Sequence, residues 1–407
     1  MTTRDLDFAP TIDSDIVSNA AKKPERLLSI DVLRGLTIAF MILVNDQTGP
    51  APCHQLSHAD WNGFTATDLV FPTFLFLVGL TTVLSTAARL ARGATRKELF
   101  LHTLRRALLL FVFGFVVNNF PFFHLATARY YGVLPRIAIC YLIVAALYLL
   151  SPKWQPKALI AIACLLIYWV LMRFVPVPGF GVPTHGVAMN ARDANLAAWL
   201  DRQIFSAPHL YETTRDPEGL LSTLPAISTT LFGLLAGLWL RTNRSTARKA
   251  GMLALAGVIF VGLALAWDPY FPIAKKLWTS SFALLAGGLS MLLLAASIYI
   301  VDVLRLGRPN SDSGRAESSA HPLIYRPLLV FGTNAILAYM IAELGDSLLT
   351  RAIHFSSGLN AKVTAYRAIA SAISQPCWAS LIYSLVFVLI SWLLVLPFYR
   401  KRIFLRI

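Results

Sequence analysis

Long apolar stretches recur along the chain, each separated from the next by a more polar segment. Ten of them reach the length of roughly 20 residues that a helix needs to cross the hydrocarbon core of a bilayer. They lie at about 33–47, 66–88, 103–123, 131–150, 157–176, 221–240, 250–267, 279–300, 327–349 and 378–399. The pattern predicts an all-α fold, a polytopic integral membrane bundle of about ten transmembrane helices.

The composition supports this prediction. Of the 407 residues, 56% are hydrophobic and only 14% are charged, and the mean hydropathy is +0.62. A water-soluble protein needs a more charged surface than this composition supplies. We therefore expect a lipid bilayer to surround most of the chain.

The net charge of +15 raises the question of nucleic-acid binding, which the positions of the cations answer. Most of the 36 Lys and Arg residues fall in alternate connecting segments, as is typical where short cytoplasmic loops retain positive charge. This placement predicts cytoplasmic termini and a lipid partner, with no nucleic acid.

The connecting segments suggest how the chain is organised. Residues 1–26 lack the apolar region and cleavage site of a signal peptide, so we expect a disordered cytoplasmic tail before one transmembrane domain at 27–407. The long outer loop 177–220 contains "DANLAAWLDRQIF", which predicts a short amphipathic helix on the membrane surface. The Ser/Gly/Pro-rich segment 305–326 predicts a flexible cytoplasmic linker.

The four cysteines fall into two groups. Cys140 and Cys164 lie within predicted spans, where we expect them to act as packing residues. Cys53 and Cys377 both fall on the outer side, so a disulfide between them stays open until their separation is known.

Polar residues inside apolar spans are expensive and are therefore functional candidates. Asp31 and Arg34 stand three residues apart and can pair on one helical face. Asn45 follows Arg34 after eleven residues, which places it on the same face about 16 Å farther across the bilayer. The alternative is an interfacial anchor formed by the Asp–Arg pair, with Asn45 as a cap at the outer end.

The stretch "LSHADWNGFTATDLVFPTFLFLVG" brings several polar groups to the mouth of the second span. His58 is suited to act as a general base at neutral pH, with Trp61 as an apolar wall and Asn62 as an orienting amide. Asp68 lies about one turn into the span and needs a partner from the same cluster. The alternative for His58 is a solvated loop histidine; no HExxH or paired-Cys pattern accompanies it, so we expect no metal.

Arg136, in "YYGVLPRIAICYLI", must find a carboxylate, a carbonyl or a ligand phosphate inside the fourth span; a structural pair with Asp68 is the alternative. Acids just before the sixth span could simply cap its first turn, and an asparagine within a span could simply bond another helix. The further residues that lie near the outer ends of spans or inside them are Asp216, Glu218, Lys275, Lys276, Trp278, Asn334 and Glu343.

Six segments together resemble the family of transmembrane heparan-α-glucosaminide N-acetyltransferases. They are "RLLSIDVLRGLTIAFMILVN", "HADWNGFTATDLVFPTFLFLVG", "GVLPRIAI", "DPEGLLSTLPAI", "KKLWTSSFALL" and "GTNAILAYM", in the family's order from about residue 27 to 340. The resemblance implies a membrane acyltransferase domain that moves an acetyl group from cytosolic acetyl-CoA to the amine of an amino sugar on the other side, and it suggests a homodimer.

The resemblance also assigns roles. His58 falls at the family's catalytic histidine and Asn45 at the asparagine beside it, while Asp31 and Arg34 fall in a motif shared with the wider superfamily. For the coenzyme we expect contacts with Asp31, Arg34, Arg105, Arg106, Arg241 and Arg244. For the acceptor we expect contacts with Trp61, Asn62, Asp68, Arg136, Asp216, Glu218, Lys275, Trp278 and Asn334.

These expectations point to a bacterial inner-membrane enzyme acting on a periplasmic amino sugar or glycan. Two other functions stay open. A transporter of an anionic solute should show paired broken helices at the membrane midplane, and a membrane scaffold or receptor needs no reactive centre.

Overall fold

The computed structural model describes residues 27–181, 191–306, 323–355 and 358–405. The predicted tail at 1–26, part of the outer loop 177–220 and most of the linker 305–326 lie outside these residues. In the described part the chain forms thirteen α-helices: α1 Leu28–Asn45, α2 Val70–Leu90, α3 Arg96–Asn119, α4 Val133–Leu150, α5 Gln155–Phe174, α6 Leu196–Phe205, α7 Thr223–Leu240, α8 Thr246–Trp267, α9 Ser280–Ile298, α10 Arg326–Thr333, α11 Ala335–Ser347, α12 Ala361–Ala370 and α13 Pro376–Arg400.

Nine helices of the described part are long and apolar enough to cross a membrane. A further span, the ninth along the chain, is broken: α10 and α11 meet at Asn334 with a bend of 72° between them. The predicted all-α bundle of about ten spans is therefore confirmed, although the apolar pattern gave no sign of the break.

The spans form an inner and an outer layer. In α1, α2, α4, α7 and α9, between 56% and 78% of the residues of each apolar window are buried by protein. In α3, α5, α8 and α13 that share is only 22% to 28%. The second group presents apolar side chains outward, as lipid contact requires.

The third span starts and ends earlier than its apolar pattern predicts. The Thr95 side chain accepts a hydrogen bond from the Glu98 amide, and the Glu98 carboxylate accepts one from the Thr95 amide. This capping box starts α3 at Arg96, inside a charged segment that hydropathy alone excludes. The helix ends at Asn119 because Phe120 precedes Pro121, and a residue before proline is disfavoured in helical geometry.

Glycines bring the broken span against α1. A Cβ atom on Gly35 would overlap the backbone carbonyl of Leu328, and one on Gly332 would overlap the carbonyl of Asp31. Only hydrogen at these two positions lets the backbones of α1 and α10 approach so closely, a common device in membrane helix packing. The contact fixes α10 beside the amino-terminal half of α1.

The loops that the sequence predicts to lie outside gather at one end of the bundle, called the outer end below, and contact one another. The Gly63 amide donates to the Ile273 carbonyl at 2.8 Å, which joins the loop after α1 to the loop before α9. A disulfide joins Cys53 to Cys377 at the start of α13, with a Cα–Cα distance of 4.7 Å. Segments far apart in sequence are therefore held over the same end of the bundle.

The predicted amphipathic helix in the long outer loop is present as α6. The Asn195 side chain caps it by accepting from the Ala198 amide at 2.9 Å. Leu196 and Ala197 pack in one apolar cluster with Trp61. The apolar face of α6 thus covers the protein, whereas we expected it on the membrane surface.

The α1–α10 contact predicts an effect of adding one methyl group. Gly35→Ala forces a Cβ atom into the Leu328 carbonyl and should cost about 1–3 kcal/mol of stability, as overpacking typically does. The matched control is Gly262→Ala in α8, where an added Cβ meets nothing within 4 Å. The thermal midpoint of the detergent-purified protein should fall for Gly35→Ala and not for Gly262→Ala; equal midpoints would contradict the close contact.

Candidate functional site

A buried carboxylate at the outer end of the second span organises the candidate site. Asp68 lies in a single 3₁₀ turn, Ala66–Leu69, directly before α2, and its side chain is 0% exposed. Its Oδ2 atom accepts hydrogen bonds from the Ala59 amide at 3.2 Å, the Thr65 amide at 3.0 Å and the Thr65 hydroxyl at 3.0 Å. These donors stabilise the charged carboxylate away from water.

The other oxygen of Asp68 orients His58. The Nδ1 atom of His58 lies 2.7 Å from Asp68 Oδ1, and a carboxylate can only accept, so Nδ1 carries the proton. The remaining ring nitrogen, Nε2, then presents its lone pair away from the aspartate. This arrangement of a buried acid, an oriented imidazole and an outward lone pair is suited to general-base chemistry.

Lys275 approaches the imidazole from the loop before α9. Its Nζ atom lies 3.3 Å from His58 Nε2 and 3.5 Å from His58 Nδ1. The segment is held there by the backbone hydrogen bond between Gly63 and Ile273. An ammonium group therefore stands beside the nitrogen that would accept a proton.

The surroundings lower the pKa of both basic groups. Burial within the site lowers the pKa of His58 below its ordinary value, and the Lys275 charge lowers it as well, while the hydrogen bond to Asp68 opposes both. Burial also lowers the pKa of Lys275, against the opposing pull of the carboxylates of Glu218 and Asp68. The His58 side chain is 44% exposed, and it lines the two cavities described below, so a substrate can reach it. Its imidazole is neutral at neutral pH and ready to take a proton.

Arg129 binds the acids that precede the sixth span. Its Nε and Nη2 atoms contact Asp216 at 2.8 and 2.5 Å, and Nη2 also contacts Glu218 at 2.6 Å. Burial alone would raise the pKa of Glu218, but Arg129 and then Lys275 hold it below its ordinary value. Glu218 thus remains charged, and the contacts of Arg129 tie the short loop before α4 to the loop before α7.

Asn45 at the end of α1 contacts the broken span. Its Nδ2 atom donates to Glu343 Oε1 of α11 at 2.9 Å. Eleven residues earlier, Arg34 donates to Asp31 at 3.1 Å and to the Gly332 carbonyl of α10 at 3.1 Å. Arg34 and Asn45 therefore share one face of α1, as their spacing predicts, and this face looks at the broken span.

Two cavities meet at the candidate site. The cavity lined by Asp46 and Asp346, named the outer cavity, has a volume of about 320 Å³, and the cavity lined by Met41 and Phe71, named the inner cavity, has a volume of about 200 Å³. Both are lined by Asn45, His58 and Glu343. These three side chains therefore stand at the boundary between the two spaces.

The two cavities differ in chemistry. The outer cavity is lined by further acidic and aromatic groups, which are Asp46, Asp346 and Tyr211. Burial raises the pKa of Asp46 to about 8, with Asp346 adding to the rise and Lys362 opposing it. The inner cavity is lined mostly by apolar side chains, among them Phe71, Phe74 and Ile336, and also by the charged side chains of Arg129, Glu218 and Lys275.

Other residues singled out from the sequence lie around this centre. Arg136 is fully buried, donates to the Gly219 carbonyl at 2.8 Å and also bonds Ser222, so its partner is a carbonyl and the alternative of a pair with Asp68 is wrong. Its guanidinium lies 5.3 Å from the centre of the Trp278 ring. Asn334 is buried at the break between α10 and α11.

Trp61 and Asn62 belong to the loop 46–65 that carries His58, named the histidine loop, and neither is among the residues that line the two cavities. Trp61 is buried beside α6, and the guanidinium groups of Arg192 and Arg215 lie 5.5 and 5.0 Å from its ring centre. Asn62 is exposed on the loop surface. Trp61 therefore serves as a packing wall for the loop.

The basic residues expected at the inner mouth do not all share one neighbourhood. Arg34 contacts α10, whereas Arg106 lies against the Tyr141 ring of α4 at 5.1 Å and Arg241 donates to the Tyr148 hydroxyl at 3.2 Å. Arg105 and Arg244 are exposed. Arg34 thus faces the same broken span as Asn45, while Arg106 and Arg241 face a different helix.

Arg129, Asp46, Asp346 and Lys362 take part in the site but were missed from the sequence. Arg129 was hidden in a short outer loop with no acid near it in the sequence. Asp46 directly follows Asn45 in "VND", which was an available signal. Asp346 and Lys362 lie beyond the segments that resemble a known family.

The chain is similar to known proteins over the region that carries Asn45, His58 and Asp68. The sequence model of the family described as "Heparan-alpha-glucosaminide N-acetyltransferase, catalytic" matches residues 26–264. Heparan-alpha-glucosaminide N-acetyltransferase of Homo sapiens is 29% identical over 331 residues, which cover 69% of this chain and 49% of the relative. The Mus musculus protein of the same name is 28% identical over 330 residues, covering 68% and 50%. The chain spans about half the length of the curated relatives it matches.

The charge beside His58 predicts how its proton affinity responds to mutation. Lys275→Met removes a cation that lowers the pKa of His58, so the apparent pKa should move up. Lys276→Met is the matched control, because Lys276 pairs with Glu212 at 3.0 Å. Diethylpyrocarbonate modifies neutral histidine, and its rate at His58, resolved by peptide mass spectrometry, reports this pKa. The wild type should titrate below about 6.5; an unchanged or lower value in Lys275→Met would contradict the assignment.

Proposed function

Since the chain belongs to the family of heparan-α-glucosaminide N-acetyltransferase catalytic domains, we propose that it is a membrane-embedded N-acetyltransferase. It transfers the acetyl group of cytosolic acetyl-CoA to the amine of a periplasmic amino sugar or glycan. The observation that carries the proposal is the Asp68–His58 pair, held at 2.7 Å at the boundary of two cavities of different polarity. The imidazole can meet a donor on one side and an acceptor on the other.

The donor uses the inner cavity. The phosphates of CoA cannot enter hydrocarbon, but its pantetheine arm is thin and carries the thioester at its end. The apolar walls of the inner cavity suit that arm, and the cavity extends down α1 to Met41. Arg34 lies about 10 Å farther along the helix, where its guanidinium is placed to hold a phosphate by charge-assisted hydrogen bonds.

The acceptor uses the outer cavity. An amino sugar is mostly an ammonium ion at neutral pH, and the carboxyl groups of Asp46, Glu343 and Asp346 line this space. Burial raises the pKa of Asp46 to about 8, and a nearby ammonium ion favours its ionised form, so this group prefers a cationic ligand to a neutral one. The same charge favours acceptors that carry few acidic groups of their own.

The reaction is a direct acyl transfer between the two cavities. The ammonium ion loses one proton to the surroundings, and the amine nitrogen attacks the thioester carbonyl while His58 Nε2 takes the second proton. Lys275 and the second N–H of the Asn45 amide are candidates to stabilise the oxyanion that forms. The carbon–sulfur bond then breaks, and CoA leaves as the thiol once it receives the proton from His58. Direct transfer needs no movement of an acetylated histidine.

The charge pattern and the disulfide support the proposed location of the protein and of its site. The cations at alternate loops favour cytoplasmic termini, and a disulfide between Cys53 and Cys377 suits an oxidising space outside the inner membrane. We therefore propose a bacterial inner-membrane protein whose site opens to the periplasm. A homodimer is part of the proposal by analogy with the family alone.

A transporter of an anionic solute is a weaker candidate. Such proteins commonly pair two broken helices near the midplane, whereas the described residues contain one bent span. The outer cavity is acidic, which disfavours an anion.

Release of CoA thiol tests the proposed reaction. Purified protein in detergent, given acetyl-CoA and glucosamine, should produce free thiol and N-acetylglucosamine without any membrane gradient. His58→Ala should lower kcat by about 10²- to 10⁴-fold, the usual contribution of a general base, while acetyl-CoA still binds by calorimetry. A transporter would release no thiol, and loss of coenzyme binding in His58→Ala would point to a structural histidine.

The proposed contact of Arg34 with a CoA phosphate predicts an effect on KM for acetyl-CoA. Arg34→Ala should raise KM for acetyl-CoA about tenfold or more with little change in kcat, because removing a charge-assisted hydrogen bond costs about 1.5–3 kcal/mol of binding. Arg96→Ala, at an exposed arginine in the first turn of α3, is the control and should behave as wild type. A fall in kcat alone would place the CoA phosphates elsewhere.

A further inference from the structure

The segment that leads from α1 to His58 is attached to α12 and α13. This segment, residues 46–53, continues from Asn45 and ends one 3₁₀ turn before the histidine. A surface loop of this kind is ordinarily among the more mobile parts of a protein. Here its residues make contacts of four different kinds with the last two helices.

A buried lysine makes the first contact. Lys362 of α12 is 8% exposed, and its Nζ atom lies 2.6 Å from Asp346 of α11 and 3.5 Å from Asp46. A buried charge is stable only with such partners. Lys362 therefore joins α12 to α11 and to the residue that directly follows Asn45.

Hydrogen bonds from α13 make the second contact. Gln47 Nε2 donates to the Ser384 hydroxyl at 2.9 Å, and Gln47 Oε1 accepts from the Ser380 hydroxyl at 2.8 Å. The Thr48 amide also donates to the Ser380 hydroxyl, at 3.0 Å. One side chain and one backbone group of the loop are thus held by the same face of α13.

Close packing makes the third contact. Gly49 has a φ of +108°, and a Cβ atom there would overlap the ring of Tyr366 in α12. The ring therefore rests directly on the glycine backbone. A residue with a side chain would meet both a strained backbone and an occupied space.

The Cys53–Cys377 disulfide makes the fourth contact and leads directly to His58. The carbonyl of Cys53 accepts from the Leu56 amide at 2.9 Å and from the Ser57 hydroxyl at 3.3 Å. His58 is the next residue. The covalent link to α13 therefore fixes the turn on which the imidazole is carried.

We propose that α12 and α13 form a positioning clamp, in which Lys362 and the Cys53–Cys377 disulfide hold the histidine loop so that His58 meets Asp68 and faces the cavities. The inference rests on the proposed function, since it assigns these residues a role in that reaction. Lys362 and the two cysteines act through His58 and are positioning residues. A displacement of about 1 Å at a reacting group can cost about 100-fold in rate, so residues that act on His58 only through its loop still control turnover.

The test compares the clamp with an equally buried lysine elsewhere. Lys362→Met removes the ionic contact, and Lys362→Arg restores it. Lys157→Met is the matched control, because Lys157 is 1% exposed and donates to the Lys153 carbonyl at 2.8 Å before α5. The disulfide is opened in the folded protein with a phosphine reductant; Cys140 and Cys164 are the other cysteines and are free.

Two measurements separate the clamp from the reaction. Amide hydrogen exchange followed by mass spectrometry reports the order of residues 46–58 without any need for activity. Product formation, measured as N-acetylglucosamine so that the reductant does not interfere, gives kcat and KM. If the wild type makes no product, the proposed function fails, and the exchange data still decide whether the clamp orders the loop.

The clamp predicts that Lys362→Met and disulfide reduction each raise exchange at 46–58 several-fold and lower kcat about tenfold to 100-fold, with KM for acetyl-CoA within about twofold of wild type. Lys362→Arg should recover most of kcat. Lys157→Met should lower the thermal midpoint without changing exchange in this segment or kcat. Unchanged exchange at 46–58 after both treatments, or a kcat loss equal to that of Lys157→Met, would overturn the proposal.

Discussion

The buried carboxylate of Asp68 is the constraint on which the candidate site depends. A charge at the end of a membrane span is costly unless every lone pair finds a donor. Two backbone amides and one hydroxyl occupy Oδ2, which leaves Oδ1 for the imidazole of His58. The need to satisfy one acid therefore fixes the tautomer and direction of the base, and it folds residues 58–65 around the start of α2.

Charged side chains of the other loops lie around the Asp68–His58 pair and contact one another. Arg129 pairs with both Asp216 and Glu218 through contacts of 2.5 to 2.8 Å and offsets part of their negative charge. Lys275 supplies a further cation beside His58. Because Arg129, the two acids and Lys275 come from three different loops, the charges around His58 also hold these loops together over the same end of the bundle.

Local sequence signals account for the spans and for the pairs that lie close in sequence. The spacing of Asp31 and Arg34 predicted their contact, and one short stretch contained both His58 and Asp68. Pairings across the chain could not be found this way: Asn45 meets Glu343 after 298 residues, and the guanidinium of Arg136 bonds a backbone carbonyl that no sequence pattern marks. The break at Asn334 was also hidden, because both of its halves are apolar and hydropathy does not register a change of direction.

The different walls of the two cavities give a physical reason for the way in which the proposed reaction divides its two substrates. An amino sugar is wide, charged and strongly hydrated, so carrying it into the apolar core would cost far more than carrying a thin acyl arm outward. Under the proposal, the amino sugar therefore stays in the cavity lined by Asp46 and Asp346, and the acyl arm enters the more apolar cavity. In the proposed reaction the coenzyme arm makes the crossing, and the protein needs only a narrow passage beside α1. The proposal also gives a reason for holding the histidine loop firmly, since a base that serves both substrates has to face two spaces at once.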